Sequence, residues 1–519
     1  MKSKLVVLMI LMFAVSSVFA ANGFTRTGEI PIPEADLNNG GIGAMISGVD
    51  IDGDGNKEIY LVNNNWNDEA SELIPRIYKM EWDGSAWATV WSAIAPVTAQ
   101  NTWPQLKIAD LDNDGKEELV WAVINNSTGN PNRIVVYEHL SGDNFGVDTT
   151  GGYKPNSVWT VGDADGLNIR PMDMEIYDID NDGTNEVIFA DRKGSSGSGY
   201  YFVIGSVDDI PDAGDASETW TLEASGLDYT VAGNIQNKWD MARIDSNLYF
   251  FDEEIISKVS WDGSAYQYSE FKAIPAGSPN QSAVGLDLDD DGTKEIVTAI
   301  YDWGDDTQKG VYVLQEDGDT LTHTMVADMA VYWDGVSRGA WGSAHGDIDG
   351  NGNMDFVFGS RGGVTNACIF RCEYKGGDIT LASNYDVTII DSAYTDDGIW
   401  SNINIADMDS DPGLEVLYSS SVSYGSGVVS VSSPIIILEA DTSGTSVEFD
   451  NLPETFTLFG NYPNPFNPST TIKYELSAPS QVTIQIFDIS GKRVAMLVNT
   501  SQKANVYEVQ WNPTNISSG

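Results

Sequence analysis

The sequence predicts an all-β protein, and three observations support this prediction. Short runs rich in Val, Ile, Tyr, Phe and Trp recur along the chain, separated by Gly, Asn and Asp turns. No amphipathic run with a period of 3.6 residues is long enough for a helix. An acidic stretch, first met as DIDGDGNKEIY from Asp50, returns at intervals. A repeated β unit therefore accounts for most of the chain.

The acidic stretch defines the repeat unit. It returns from residues 110, 178, 287, 347 and 407 as DLDNDGKEELV, DIDNDGTNEVIF, DLDDDGTKEIV, DIDGNGNMDFVF and DMDSDPGLEVLY. Successive starts differ by 60, 68, 109, 60 and 60 residues, so the interval of 109 holds two units. The hidden unit is WDMARIDSNLYFFDEE from Trp239, in which Arg243 replaces the first Asp and the acidic loop is shortened. We predict seven units, six with an acidic loop.

The sequence pattern of each unit predicts four short strands. In the hidden unit they are KWDMARID, NLYFFDEE, IISKVSW and AYQYSEF, with an Asp262-Gly263 turn before the last. Seven such units favour a seven-bladed β-propeller, because a closed ring leaves only short, protected sheet edges. An open row of sheets or a string of sandwich domains is the alternative. The ring could close with a strand around Thr25 to Ile32 or with the segment near Val447.

Charge and composition narrow the classes of function. Lys and Arg number 27 against 77 Asp and Glu, a net charge of -50 that disfavours nucleic acid and anionic lipid and favours cations. Residues 1–20 read as a secretory signal peptide, with two lysines, an apolar run from Leu5 to Val15 and small residues near Ala20. That run is too short to cross a bilayer about 30 Å thick, and we predict no membrane span. Cys368 and Cys372, in CIFRC, read as buried strand residues too far apart for a disulfide.

The acidic loop has the composition of a calcium site. Two unit charges about 4 Å apart repel by roughly 4 kcal/mol at an effective dielectric near 20, so the clustered acids need a cation. We number each loop from its first Asp, which is position 1. Side-chain oxygens at positions 1, 3, 5 and 9, a carbonyl at position 7 and water would supply a shell of six to eight oxygens. Zinc and copper prefer imidazole or thiolate, and magnesium prefers a tight, hydrated octahedron. A solvated acidic turn is the alternative.

In each of the six predicted calcium loops, position 7 would contribute its backbone carbonyl. Their residues are Asp50, Asp52, Asp54, Asn56 and Glu58; Asp110, Asp112, Asp114, Lys116 and Glu118; Asp178, Asp180, Asp182, Thr184 and Glu186; Asp287, Asp289, Asp291, Thr293 and Glu295; Asp347, Asp349, Asn351, Asn353 and Asp355; and Asp407, Asp409, Asp411 and Glu415. Two loops are imperfect, because Asn351 replaces an Asp and Pro412 shifts the glycine of the last loop. An EF-hand is excluded, since position 12 is never acidic.

These units resemble FG-GAP or VCBS-type repeats, the calcium-loop propeller repeats also seen in integrin alpha chains. The resemblance covers residues 21–450 and rests on the motif D-x-D-x-D-G-x-x-E before a β-strand. It implies a propeller whose acidic loop joins the first and second strands of a blade, with all ions on one face. It also implies a structural role for calcium and a function in binding or adhesion.

After Asp450 the acidic loops stop. We predict a linker over residues 451–455 and a small β-sandwich over 456–519, with Pro463, Pro465 and Pro468 excluding helix and central strand. The segments NYPNPFNPST and VTIQIFDISGKRV resemble the type A sorting domain of proteins exported by the type IX secretion system of Bacteroidetes-like bacteria. The resemblance implies secretion or display on the cell surface, and contact with the secretion machinery. The domain looks truncated soon after Trp511, and an ordinary appended sandwich is the alternative.

The loops opposite the predicted ions indicate a binding face. They carry Trp66, Trp103, Trp303, Trp341 and Trp400. Exposed aromatic rings suit sugar faces and protein hot spots, so we predict a glycan or an extracellular protein as the partner. Packing of these rings between blades is the alternative.

A secreted polysaccharide-active enzyme, a glycoside hydrolase or lyase, is the second class of function. Such an enzyme needs only two acids at a fixed separation, and this chain has 77 acids. The sequence identifies no catalytic residue, since His139, His323 and His345 are scattered and no GxSxG elbow or Cys-His pair occurs. We therefore predict a binding module without enzymatic activity.

Overall fold

The computed structural model describes most of the chain. It covers residues 9–12, 23–38, 40–64, 73–97, 104–123, 134–161, 170–192, 200–229, 238–252, 255–272, 278–279, 281–301, 309–318, 320–329, 340–360, 367–393, 399–409, 413–421, 434–440, 457–458, 469–476, 480–487, 493–502 and 505–511. Within these ranges the elements are strands and two 3-10 helices, Gly226–Tyr229 and Ala382–Asn384. None of the described helices has the length and apolar character to cross a membrane.

Residues 26–442 form one compact unit, a seven-bladed β-propeller. Blade 1 is Ile42–Val49, Glu58–Asn63, Arg76–Trp82 and Trp87–Ile94; blade 2 is Gln105–Ala109, Glu118–Ala122, Ile134–Ser141 and Asn144–Phe145; blade 3 is Pro171–Tyr177, Glu186–Asp191, Phe202–Val207 and Trp220–Ser225. The strand Ser157–Trp159 also pairs with the third strand of blade 2. A hairpin of Val147–Thr149 and Gly152–Lys154 lies beside the fourth strand of blade 1.

The remaining blades repeat the same antiparallel order. Blade 4 is Asp240–Ile244, Asn247–Phe251, Ile255–Trp261 and Tyr266–Lys272; blade 5 is Val284–Leu286 with Ser278–Pro279, Glu295–Tyr301, Gly310–Asp317 and Thr320–Asp328; blade 6 is Ala340–Gly346, Met354–Ser360, Ala367–Tyr374 and Tyr385–Ala393; blade 7 is Ile399–Ala406, Glu415–Ser421, Ile435–Ala440 and Phe24–Ile30. The predicted fold class and the number of units are confirmed.

The ring closes with the N-terminal strand, which decides between the two closures left open by the sequence. Phe24–Ile30 is the fourth strand of blade 7, where it pairs with Ile435–Ala440. Arg26 of this strand donates to both carboxylate oxygens of Asp391 in blade 6, at 2.7 and 3.0 Å. The two ends of the propeller are thus joined by backbone pairing and by a bidentate ion pair.

The core is a series of apolar clusters between neighbouring blades. Tyr60 of blade 1 packs in one cluster with Trp121 of blade 2, and Val136 of blade 2 packs in the next with Phe189 of blade 3. Because a second strand is covered by a blade on each side, all six residues of Glu58–Asn63 are buried. The outer strand Trp87–Ile94 alternates between buried and exposed residues along its second half. This difference explains why inner strands read as unbroken apolar runs.

The degenerate unit forms a complete blade. Ile244 pairs with Asn247, so Asp245 and Ser246 make a two-residue turn in place of the acidic loop, and Asp245 has the positive φ of 52° that such a turn needs. The Arg243 guanidinium lies 4.2 Å from the centre of the Tyr177 ring in blade 3. Cys368 and Cys372 are buried on one strand of blade 6, as predicted, and neither is in a disulfide.

A second compact unit comprises residues 1–25 and 443–519. Thr470–Leu476 pairs with Asn505–Trp511 and with Thr457–Leu458, whereas Ser480–Phe487 pairs with Arg493–Gln502 and Met9–Met12. One buried cluster combines side chains from both sheets: Ile472, Tyr474, Leu476, Val482, Ile484, Ile486 and Trp511. The sandwich, its boundaries and the signal peptide stay predictions, and the three prolines of the 463–468 segment lie outside the described residues.

Candidate metal centres

The acidic loops join the first and second strands of their blades, as the repeat resemblance implies. In blade 3 the loop begins at Asp178, after Pro171–Tyr177, and ends at Glu186, the first residue of the second strand. Position 9 is the first or second residue of the second strand in all six acidic blades. Position 9 is therefore held by the sheet, while positions 1 to 8 form the turn.

The position 9 carboxylate holds the turn against the strand. In blade 2 the Leu111 N–H donates to Glu118 Oε2 at 2.6 Å, and in blade 3 the Ile179 N–H donates to Glu186 Oε2 at 2.8 Å. The other four loops repeat this bond through the N–H of Ile51, Leu288, Ile348 and Met408. One oxygen of each position 9 acid is thus used by the loop itself.

The position 1 carboxylate is fixed in the same manner by the glycine at position 6. Gly115 N–H donates to Asp110 Oδ2 at 3.0 Å, and Gly183 N–H donates to Asp178 Oδ2 at 3.0 Å. The glycines have φ values of 92° and 96°, a left-handed conformation that a residue with a Cβ rarely adopts. Glycine at position 6 is therefore required by the turn and not by the acids.

The remaining carboxylate oxygens fit a divalent cation. Within the described part of the chain, Glu118 Oε1, Glu186 Oε1, Asp110 Oδ1 and Asp287 Oδ1 are buried and have no hydrogen-bond partner. Carboxylate oxygens of Asp110, Asp112 and Glu118 lie within 4.8 Å of one another, as do those of the four acids of blade 3. Two oxygens on opposite sides of a calcium ion would be about 4.6 to 5.2 Å apart. The donors, their spacing and their unmet bonding capacity all match calcium.

Burial alters the protonation of the position 9 acids. Removal from water, together with the neighbouring acids, raises the pKa of Glu118 to about 9 and that of Glu186 to about 8. Without a metal these buried carboxyls therefore retain a proton near neutral pH. A bound divalent ion would favour the charged form and release that proton.

This protonation predicts how stability depends on pH. In a chelator, we expect the unfolding free energy to fall as pH rises from about 5 to about 9, because the folded state keeps protons that the unfolded chain has lost above about 4.3. Urea titrations at several pH values would measure the slope, and Glu186→Gln should reduce it. A flat profile, or stability that increases with pH over this range, would contradict the assignment.

In two loops a cation from the third strand contacts the acids at positions 3 and 9. In blade 1 the fully buried Lys79 Nζ lies 2.7 Å from Glu58 Oε1 and 2.9 Å from Asp52 Oδ2. In blade 6 Arg371 Nε donates to Asp355 Oδ1 at 2.6 Å, and Nη2 donates to Asp349 Oδ2 at 2.8 Å. Both cations thus contact the acids at positions 3 and 9 of their own loop, so these loops fit a metal less well.

The sequence analysis missed a second set of acids on the third strands. Opposite position 9 the register places Glu81, Glu138, Glu373 and Glu439 in blades 1, 2, 6 and 7. These third-strand acids also lie close to acids of the next blade. One such group is Asp52, Glu81 and Asp143, and another is Asp114, Glu138 and Asp212. In the sequence, these third-strand acids are recognisable as an acid two residues after each of four residues: Lys79, Val136, Arg371 and Ile437.

The last loop and the tryptophan face are only partly described. Asp407, Asp409 and Glu415 lie in blade 7 as expected, but Asp411 is outside the described residues, as are Trp66, Trp103 and Trp303. Trp400 was predicted to lie in a loop, but it is the second residue of the strand Ile399–Ala406, so its loop position was wrong.

Trp341 does not have the exposed loop position expected from the sequence. It is the second residue of the strand Ala340–Gly346 and is 3% exposed. Its Nε1 donates to Gln281 Oε1 at 2.8 Å, which satisfies the indole inside the protein. The alternative of packing within the propeller holds for this residue.

A cavity of about 340 Å³ lies among the first strands of five blades. Lys107, Asp173, Glu175, Gln281 and His345 contribute polar groups to it. Asp173 is hydrogen-bonded to Asp240, and burial together with this neighbouring acid raises the pKa of Asp240 well above its usual range. The raised pKa favours the protonated form of Asp240 beside Asp173, which lines the cavity. Of the three histidines, only His345 lines this cavity.

The fold and the loops define the class of this protein as a seven-bladed β-propeller with acidic loops in six blades. Residues 50–121 match the FG-GAP-like repeat family, and residues 461–519 match the secretion system C-terminal sorting domain. Both resemblances are thereby confirmed, and the tail indicates export through the type IX route. A comparison with curated protein sequences found no match.

Solved structures with a similar fold include two sialidases. The Trypanosoma rangeli sialidase in complex with sialic acid is 12% identical with a TM-score of 0.35, covering 82% of this chain and 60% of that one. The NanB sialidase from Streptococcus pneumoniae is 11% identical with a TM-score of 0.37, covering 82% and 72%. The chain thus spans 60% of the length of the first sialidase. Likeness at this level extends to neither activity nor substrate.

Proposed function

We propose that this protein is an exported, calcium-stabilised β-propeller that binds a glycan or an extracellular protein. The observation that carries the calcium assignment is the set of buried, unpartnered oxygens on Asp110, Glu118, Glu186 and Asp287. An uncompensated buried polar oxygen is costly, and two within one loop, as on Asp110 and Glu118, are best satisfied by a hard divalent ion. Position 1, 3, 5 and 9 side chains would hold each ion, with the position 7 carbonyl.

The binding role rests on the export tail and on the architecture. A chain that leaves the cell meets millimolar calcium, and extracellular modules bind calcium with dissociation constants of roughly 0.1 to 1 mM. The acidic loops and the hairpins between third and fourth strands share one edge of each blade, because the strands are antiparallel. The opposite loops, which carry Trp66, Trp103 and Trp303, are then available for a partner.

Glycan arrays and cell-adhesion assays of the secreted protein test this proposal. We expect binding in calcium that Trp66→Ala with Trp103→Ala reduces at least about tenfold, since these rings would supply apolar contact area. Trp82→Ala is the matched control, because Trp82 is 45% exposed and lies at the start of a hairpin on the acidic edge. Unchanged binding in the double variant, or an equal loss in the control, would contradict the proposed face.

A polysaccharide-active enzyme is the second candidate, and the central cavity is the observation that favours it. Asp173 and Glu175 are two residues apart on one strand, so they share a face about 7 Å apart. This backbone spacing is compatible with the separation of about 6.5 to 9.5 Å between the two carboxyl groups of inverting glycosidases. Turnover of a polysaccharide in calcium that Glu175→Gln abolishes would support an enzyme over a pure binding module.

A further inference from the structure

The register of the blades assigns one third-strand residue to each loop. We define the cross-strand position as the third-strand residue that pairs with position 11, counted from the first acid of the loop. In blade 4, which has no acidic loop, the equivalent residue of the second strand takes the place of position 11. In chain order the cross-strand positions are Lys79, Val136, Ile204, Lys258, Val313, Arg371 and Ile437. Three blades thus have a basic residue there and four have an apolar one.

We propose that the cross-strand position decides which loops take a divalent ion. Apolar residues leave the loops of blades 2, 3, 5 and 7 for calcium, whereas Lys79 and Arg371 replace the metal in blades 1 and 6. This inference rests on the proposed calcium function and narrows it from about six ions to about four. Blade 4 has a basic residue but no acidic loop, and takes no ion.

The contacts of Lys79 are those of an internal counterion. Its ammonium lies within 2.9 Å of oxygens on Asp52, Glu58, Glu81 and Asp143. The first two belong to the loop, and Asp143 comes from the third-to-fourth-strand hairpin of blade 2. Glu58 Oε1, like its counterparts on Glu118 and Glu186, has no hydrogen-bond partner, but it alone of the three lies in an ion-pair contact, 2.7 Å from an ammonium. The ammonium would also repel a dication that shares the same carboxylates.

Arg371 repeats the arrangement in blade 6. Its guanidinium donates to both oxygens of Asp355, at 2.6 and 3.0 Å, so neither is left for a metal. Asn351 in the same loop replaces an acid with an amide, and its Nδ2 donates to Glu373 Oε1 at 2.7 Å. In this loop, which has fewer acids, one arginine thus contacts two of the three carboxylates, Asp349 and Asp355.

Blades 2 and 4 show that a lysine near the loop is not enough to replace the metal. Lys116 in blade 2 contacts Asp114, Glu138 and Asp212, while Asp110 Oδ1 and Glu118 Oε1 keep no partner. Lys258 at the cross-strand position of blade 4 pairs with Glu316 of blade 5 at 2.5 Å. Only Lys79 and Arg371 combine the cross-strand position with contacts to their own acidic loop.

The test counts calcium ions bound to the full secreted protein and its variants. Each protein is stripped with chelator and titrated with calcium chloride, and bound ions are counted by native mass spectrometry or equilibrium dialysis. We expect about four ions in the unmodified protein, about five in Lys79→Met and in Arg371→Met, and about four in the control Lys258→Met. Thermal melts should show each of the first two variants gaining more from calcium than the unmodified protein does.

The outcomes separate this inference from the proposed function. Six ions of similar affinity in the unmodified protein, or no additional ion in either variant, would overturn the inference and leave the calcium function standing. No bound calcium in any of the proteins would overturn the calcium function itself. If Lys79→Met fails to fold, the number of calcium ions bound to Arg371→Met and to the unmodified protein still tests the inference.

Discussion

Removal of calcium is expected to cost the propeller about 6 kcal/mol of unfolding free energy. Each ion bound only to the folded state contributes about 1.4 kcal/mol at ten times its dissociation constant, and the proposal places about four such ions. Chelation also removes the positive charge that would balance the acids of each loop, as in the group of Asp178, Asp180, Asp182 and Glu186. Thermal and urea unfolding with and without a chelator would measure the loss.

Glu186→Gln with Asp182→Asn provides the control for this experiment. The pair of substitutions removes two ligands from blade 3 and should reduce the calcium-dependent gain by about one site, roughly 1.4 kcal/mol. Magnesium at the same concentration should restore little, because it prefers an octahedron of six close ligands. Equal unfolding curves in calcium and in chelator would mean that the loops are solvated turns.

Arg26→Ala is expected to destabilise the ring by about 3 to 5 kcal/mol. The substitution leaves the Asp391 carboxylate, 1% exposed, without the guanidinium that neutralises it, and breaking one partner of a buried ion pair has that cost. Arg26 Nη2 also donates to the Tyr418 hydroxyl at 3.2 Å, so three elements lose a common contact. Because Arg26 is on the closing strand, the loss falls where the ring is joined.

Lys375→Ala is the matched control, since Lys375 forms an ion pair with Asp386 in the same blade at 2.8 Å. Both side chains of that pair are well exposed, so its loss should change stability by less than about 1 kcal/mol. Equal effects of Arg26→Ala and Lys375→Ala in urea unfolding would show that the bidentate pair is not important for closure.

The repeats could be predicted from sequence because each depends on a short local pattern. The positions of Asp178, Asp180 and Asp182, the glycine at 183 and the acid at 186 are set within one turn, and the second strand begins where the pattern ends. The degenerate blade was recognisable from its four apolar runs even without the acids. Local geometry of this kind is repeated six times, which makes it unambiguous.

Long-range pairing determined what the sequence left open. Lys79 lies 21 residues after Glu58, and only the strand register brings its ammonium to that carboxylate. The closing contact joins Arg26 to Asp391, which are 365 residues apart, and two candidate segments were equally plausible. Trp341 sits next to glycines in GAWGS, a composition typical of a loop, yet it begins an inner strand and is covered by neighbouring blades.

The metal content of the protein, secreted by its own host and purified without chelators, tests the central claim most directly. Elemental analysis should find calcium at about four ions per chain, with little zinc, copper or magnesium. A folded propeller, verified by a cooperative thermal melt, that contains no alkaline-earth ion would show that hydrogen bonds and protonation alone hold the acidic loops together.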